Sequence, residues 1–266
     1  MPSNPERPMR AQTTPSHLPE LEIAKALSER RVLLAFQPIV GAGDRVAFHE
    51  ALLRLRLPCG QLLAPGQFLL GLRNPTLRRA LDIRALSLGI AELNAHPGLR
   101  LSVNVDPDSL HNPVFHRELD MQLRTAPETA ERLILELTER APLPPLPVFA
   151  RRRDRWREMG LSLALDDFGA GCTSFRHLRD WRFDILKIDG SFSRNVHSDP
   201  DNQALMRALC GLAQHFEAYT VAEAVETAAE ARWLTACGLD ACQGYHLGRP
   251  TVDPAWRPSE PAIASG

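Results

Sequence analysis

Residues 163–171 read LALDDFGAG and set two adjacent carboxylates, Asp166 and Asp167, directly after an apolar, strand-like run. A carboxylate at a buried strand end is costly unless something pairs with it, and a second one beside it adds like-charge repulsion. A cation is the direct remedy. The same arrangement recurs along the chain. Successive apolar runs end in Glu50 (HEALLRL), Asn104 (LSVNV), Glu136 and Glu139 (LILELTER), Lys187 and Asp189 (DILKIDG), Glu223 and Glu226 (TVAEAVET), and Gln243 (ACQGYHLGRP). Taken singly, an acidic residue after a strand is usually a solvated loop side chain or a helix cap. Taken together, these groups form a set of oxygen ligands suited to hard cations such as Mg2+ or Mn2+. None of the strand-end groups is a histidine, which argues against zinc. Lys187 is one of only two lysines, with Lys25, among 31 basic residues.

Such a set does chemistry only if the fold brings the strand ends to one rim. Eight candidate strands cover 33–40, 45–53, 100–105, 132–137, 161–165, 184–188, 219–222 and 240–242. The gap from Gly41 to Asp44 is too short for a crossover, so the first two strands are expected to be antiparallel neighbours. The later strands are separated by helix-length segments with start signals: Asn112-Pro113, Asp199-Pro200 and the capping box Thr227-Ala-Ala-Glu230. Gly160 and Gly238 stand where helices should stop. The pattern predicts an α/β fold, a TIM-like (β/α)8 barrel with an antiparallel first strand, in which reactive groups gather at the C-terminal ends of the parallel strands.

Residues 1–20, rich in proline, read as a disordered leader, 21–250 as the barrel and 251–266 as a disordered tail. A formal net charge of −1 gives no global field toward nucleic acid or an anionic membrane. No apolar run approaches the ~18 residues of a membrane span, and the first 20 residues lack the core of a signal peptide, so a cytoplasmic protein is expected. The five cysteines, Cys59, Cys172, Cys210, Cys237 and Cys242, contain no CxxC pair and read as free thiols. The arginine-rich run 150–160 reads as the solvated face of an amphipathic helix.

The motifs HEALLRL, LSVNVDPDSL, LELTE, DDFGAG, ILKIDGSF, VAEAVET and CQGYHLGRP, in this order from Val32 to Pro250, resemble those of EAL-type cyclic di-GMP phosphodiesterases. The resemblance implies hydrolysis of cyclic di-GMP to linear pGpG by two divalent ions, Mg2+ or Mn2+. It makes Glu50, Asn104, Glu136, Asp166, Asp167 and Glu223 metal ligands and places Lys187, with Glu223, at the catalytic centre. Glu139 is implied to steady the DDFG loop. Gln37, Arg54, Asp189, Glu226 and Gln243 are assigned to the substrate and its surroundings, Arg54 to a phosphate. It also implies a homodimer, with Phe175, Leu178 and Trp181 as candidate contacts that core packing explains equally well, and leaves room for a regulatory protein partner. The chain departs from the family pattern at Ala224, where a glycine is usual, at Leu55, and over residues 68–74. A catalytically silent cyclic di-GMP receptor is the rival reading. Such receptors usually lose metal ligands, and every one is present here.

Overall fold

A computed structural model describes residues 18–139, 146–170 and 175–257, without the side chains of 146–148 and 175–177. Its strands are β1 (Val32–Gly41), β2 (Val46–Arg56), β3 (Leu62–Leu63), β4 (Leu101–Val105), β5 (Leu133–Thr138), β6 (Ser162–Phe168), β7 (Ile185–Ile188), β8 (Tyr219–Ala222) and β9 (Ala241–Cys242). The helices are α1 (Glu20–Ser28), α2 (Pro65–Phe68), α3 (Pro75–Ala95), α4 (Pro113–Thr125), α5 (Pro127–Ala130), α6 (Leu146–Glu158), α7 (Phe175–Trp181), α8 (Gly190–Ser193), α9 (Pro200–His215) and α10 (Ala228–Cys237). β1 pairs antiparallel with both β2 and β9, while β2 and β4 through β9 pair in parallel, so the sheet closes on itself. The expected reversed first strand is present. The two-residue β3, which hangs on the end of β2 through Leu55 and Leu63, was not expected; a pair of leucines carries no periodicity to read. The tight β1–β2 turn passes through Gly43 at φ 69°.

Strand alternation explains how one barrel holds both a core and a charged mouth. One layer inside the barrel consists of Ile39, Phe48, Ile134, Ala164, Ile185, Val221 and Ala241. Two residues further toward the mouth, the same strands carry Gln37, Glu50, Glu136, Asp166, Lys187, Glu223 and Gln243. The intervening residues, such as Leu135, Leu137, Leu165 and Leu186, point outward into the core under the helices. There Trp181 stacks on Phe149 and Phe183, with ring centres 5.0 and 5.8 Å away. Leu178 and Trp181 are core residues of this barrel, 2% and 1% exposed, which agrees with the core-packing reading of these side chains.

Helix starts follow the predicted signals. Asn112 accepts from Val114 N, Asp199 from Asp201 N and Asn202 N, and Thr227 with Glu230 forms the capping box. The expectation that the tail is disordered from residue 251 fails for residues 251–257. Phe36 and Thr251 exchange two backbone hydrogen bonds of 2.8 and 3.1 Å. Trp256 packs edge-on against Phe36 and His49, and its Nε1 donates to Glu92 at 2.8 Å. Arg257 reaches the other oxygen of Glu92 at 2.7 Å. The Thr251 backbone pair, one indole and one guanidinium together dock this segment. Residues 1–17 and 258–266 lie outside the described residues.

Candidate active site at the barrel mouth

Lys187 Nζ, 1% exposed, lies 3.1 Å from Glu50 Oε2, 3.0 Å from Glu136 Oε2, 2.8 Å from Asp166 Oδ1 and 2.9 Å from Glu223 Oε1. Four strands thus aim a carboxylate at one ammonium. Glu50 is held further by Asn104 Nδ2 at 2.6 Å and Gln243 Nε2 at 2.6 Å. Gln243 also donates to Gln37 Oε1 at 3.1 Å, and Gln37 donates to the Gly248 carbonyl at 3.0 Å. Gln37 and Gln243, expected at the substrate, form a relay that orients Glu50.

One ammonium cannot balance four buried carboxylates, and their proton affinities show it. Burial pushes Glu136 up to about 8, helped by the charges of Glu50 and Asp166 and only partly opposed by Lys187. Burial also holds Glu223 well above the ordinary range. Glu50 goes the other way: burial resists its ionisation, but Lys187, Gln243 and Asn104 outweigh it. Burial likewise resists the charge on Lys187, and the surrounding carboxylates raise its pKa well above the ordinary value. Glu136 Oε1 and Asp166 Oδ1 are buried without a hydrogen-bond partner; the short contact of Asp166 with Nζ is not aligned as a hydrogen bond. Among the described residues no group of three or more His, Cys, Asp or Glu side chains is already spaced to hold a metal ion, because the carboxylates close on the lysine. Their chemistry still fits hard cations: oxygen-only donors, surplus negative charge and two orphan oxygens.

The adjacency of Asp166 and Asp167 has a backbone explanation. Neighbouring strand residues normally face opposite sides of a sheet. Between Leu165 and Phe168 the register with β7 shifts, so that two β6 residues stand opposite Lys187 alone. Asp167 takes the left-handed conformation, φ 57°, in this bulge. Asp166 consequently faces Lys187, while Asp167 lines the cleft outside it. Glu139 sits apart from the lysine cluster, its Oε2 accepting from Gly169 N at 2.7 Å, which braces the turn after Phe168. Gly171 and Cys172 lie outside the described residues.

The mouth opens into two lobes. The larger, of about 560 Å3, is of mixed polarity and lined by Asp167, Asp189, Arg194, Glu223, Glu226 and Tyr245 among others. The smaller, of about 320 Å3, is mostly apolar, with Leu52, Leu69 and Leu81 beside Asn104 and Asp166. Asp189 and Glu226 line the larger lobe, and Asp189 also caps α8 through Ser191 N at 2.8 Å. Arg54, expected at a phosphate, donates to its neighbour's carbonyl, Leu53 O, at 2.8 Å. Sequence reasoning missed Arg194 and Tyr245, which both line the larger lobe, and Arg249 lies over the Tyr245 ring, 4.2 Å from its centre. Proximity to the motifs DGSF and CQG was the available signal.

Asp82, in the smaller lobe, was also missed because it reads as an ordinary mid-helix acid. Burial raises it from 3.8 to about 7, although Ser109 Oγ and Asp106 N donate to it at 2.5 and 3.2 Å. The native state therefore keeps a proton that the unfolded chain gives up, and the associated stability is present below pH ~4 and lost as pH rises toward 7. Relative to wild type, Asp82→Asn should gain stability between pH 4 and 7 by roughly 2–4 kcal/mol and then level off. Urea unfolding at pH 4.5 and 8 checks this; an identical difference at both would count against a buried charge.

Ala224, the departure noted in the sequence, adopts φ 53°. Its methyl lies against Gly190, where any Cβ would collide with it. Alanine in the left-handed region is strained, so Ala224→Gly should stabilise the fold by about 1 kcal/mol, raising Tm by roughly 2–4 °C. A lower Tm would refute the strain.

A barrel with a reversed first strand and an acidic, lysine-centred mouth defines a class, and comparison with known proteins identifies it. The EAL domain family model matches residues 20–250. The chain belongs to the EAL domain family. It is 32% identical over 232 residues to the cyclic di-GMP phosphodiesterase PdeF of Escherichia coli, covering 86% of this chain and 31% of that protein. Among solved structures, the PaMucR phosphodiesterase in complex with c-di-GMP, from Pseudomonas aeruginosa, aligns with a TM-score of 0.79 at 29% identity, over 88% of this chain and 97% of that one. BlrP1 of Klebsiella pneumoniae, in a manganese and cyclic di-GMP complex, aligns at 0.72 and 29% identity, over 83% and 56%. The chain spans less than half the length of the curated relatives it matches. No helix among the described residues is long and apolar enough to cross a membrane.

Proposed function

We propose that this barrel hydrolyses cyclic di-GMP to linear pGpG with two divalent cations, Mg2+ or Mn2+. The observation that carries the reading is the convergence of Glu50, Glu136, Asp166 and Glu223 on one lysine between two lobes. Relatives named as cyclic di-GMP phosphodiesterases supply the substrate class. Glu50, Asn104, Glu136, Asp166, Asp167 and Glu223 would hold the ions. When bound, the ions supply a water of lowered pKa and neutralise charge building on the phosphate. Gln243 and Gln37 keep Glu50 oriented, Glu139 braces the turn that presents Asp167, and Lys187 supplies fixed positive charge beside the scissile phosphate. Arg54 must swing from Leu53 O to meet a phosphate. The two lobes flank Glu50 and receive the two halves of the dinucleotide, with Asp189 and Glu226 in the larger one. In this reading the protein works in the cytoplasm as a homodimer, under a regulatory partner.

The test is a turnover assay on purified protein with Mn2+ or Mg2+, and with EDTA, resolving pGpG by chromatography. Metal-dependent pGpG formation is expected. Tight binding of the dinucleotide without turnover would instead make the chain a receptor.

A further inference from the structure

Two of the walls of the larger lobe are loops, residues 189–194 after β7 and 223–226 after β8, which stand beside Asp167 and residues 243–245. They meet at two places. At the floor, Gly190 packs on the Ala224 methyl. At the outer end stands Glu230, in the first turn of α10 and only 3% exposed. A capping box requires one acceptor here, for the backbone N–H of Thr227, and Glu230 Oε2 meets it at 2.9 Å. The same oxygen also accepts from Glu226 N at 2.9 Å, and Oε1 accepts from Asn195 N at 2.8 Å, 35 residues back along the chain. Asn195 adopts φ 55° and directly follows Arg194, whose carbonyl accepts from Asn202 Nδ2 at 3.1 Å. One buried carboxylate thus fastens the backbone beside Arg194 to the backbone of Glu226.

We infer that Glu230 is a positioning residue: it ties the two walls at a fixed separation and so sets the shape of the lobe that receives the nucleotide. The inference rests on the proposed function for the identity of the ligand. It requires a carboxylate. A glutamine has one accepting oxygen and can cap α10, but its NH2 would face the N–H of Asn195, which then loses its partner.

Two variants separate this role from a merely structural one. Glu230→Gln keeps the cap and breaks the tie; Thr227→Ala removes the reciprocal cap, in which Glu230 N donates to Thr227 Oγ1 at 3.2 Å, and keeps the tie. Amide exchange followed by NMR should show Asn195 losing protection about tenfold in Glu230→Gln, with Glu226 and Thr227 little changed. KM for cyclic di-GMP should rise about tenfold at nearly constant kcat, the scale of one lost buried hydrogen bond. Thr227→Ala should lower Tm and leave KM alone. If wild type neither binds nor hydrolyses the dinucleotide, the proposed function fails and the positioning role falls with it. If wild type is active and Glu230→Gln matches its KM although Asn195 has lost protection, the positioning role alone is overturned. A parallel rise of KM in both variants, tracking lost stability, also overturns it.

Discussion

Glu136→Gln is expected to leave the fold as stable as before, or more stable, while turnover falls on the order of a thousandfold, the scale of losing one charge-stabilising group at a reacting centre. The two effects have one cause. Glu136 is fully buried, and burial with the charges of Glu50 and Asp166 lifts it to about 8, so near neutral pH, in the absence of metal, it is largely protonated. Glutamine reproduces that neutral form, and its oxygen still accepts from Lys187, as Glu136 Oε2 does at 3.0 Å. What it lacks is an anionic oxygen for a divalent ion. Thermal unfolding in EDTA, set beside turnover with Mn2+, measures both sides. Near-normal turnover would remove Glu136 from the ion-holding set, and a collapse in Tm would show that its charge stabilises the fold.

Lys187→Met should do the opposite to stability. Lys187 is the cation on which Glu50, Glu136, Asp166 and Glu223 converge, at 1% exposure. Removing one partner of a buried charge cluster typically costs about 3–5 kcal/mol because the other charges stay behind. In a protein of this size that is a Tm drop of roughly 10 °C. The loss should be largest at pH 8 and shrink toward pH 5 as the carboxylates take up protons. Mn2+ should restore more Tm to this variant than to wild type, since an ion bound only by the folded state stabilises it and here takes over the missing positive charge. Turnover should be lost in both conditions. A variant as stable as wild type in EDTA would mean that the carboxylates do not depend on the lysine, and no response to Mn2+ would weigh against the metal assignment.

The charged mouth was legible because strand alternation writes it openly. An apolar residue followed two places later by a charged one, as in Ile134 and Glu136 or Ile185 and Lys187, states both the inward face and the rim. The reversed first strand was legible from the short turn at Gly43. Other features were hidden for identifiable reasons. Asp167 looks like a strand residue until the bulge turns its backbone left-handed. Glu230 reads as a local cap, and its bond to Asn195 spans 35 residues that no helix-start signal reports. Asp82 follows the helical pattern of α3, and only the packing of Ser109 and Asp106 over it shows that it is buried. Trp256 and Arg257 sit among prolines, and their docking depends on a single acid, Glu92, more than 160 positions earlier.

That last contact bears on where the domain can be cut. The family match stops at residue 250, yet the next seven residues complete the seam beside the first strand. A fragment trimmed to the matched boundary would strip the indole from Phe36 and His49 and leave Glu92 without its two donors. Excising this unit for transplantation onto an unrelated protein should therefore carry the chain through Arg257, so that the graft brings its own fastening.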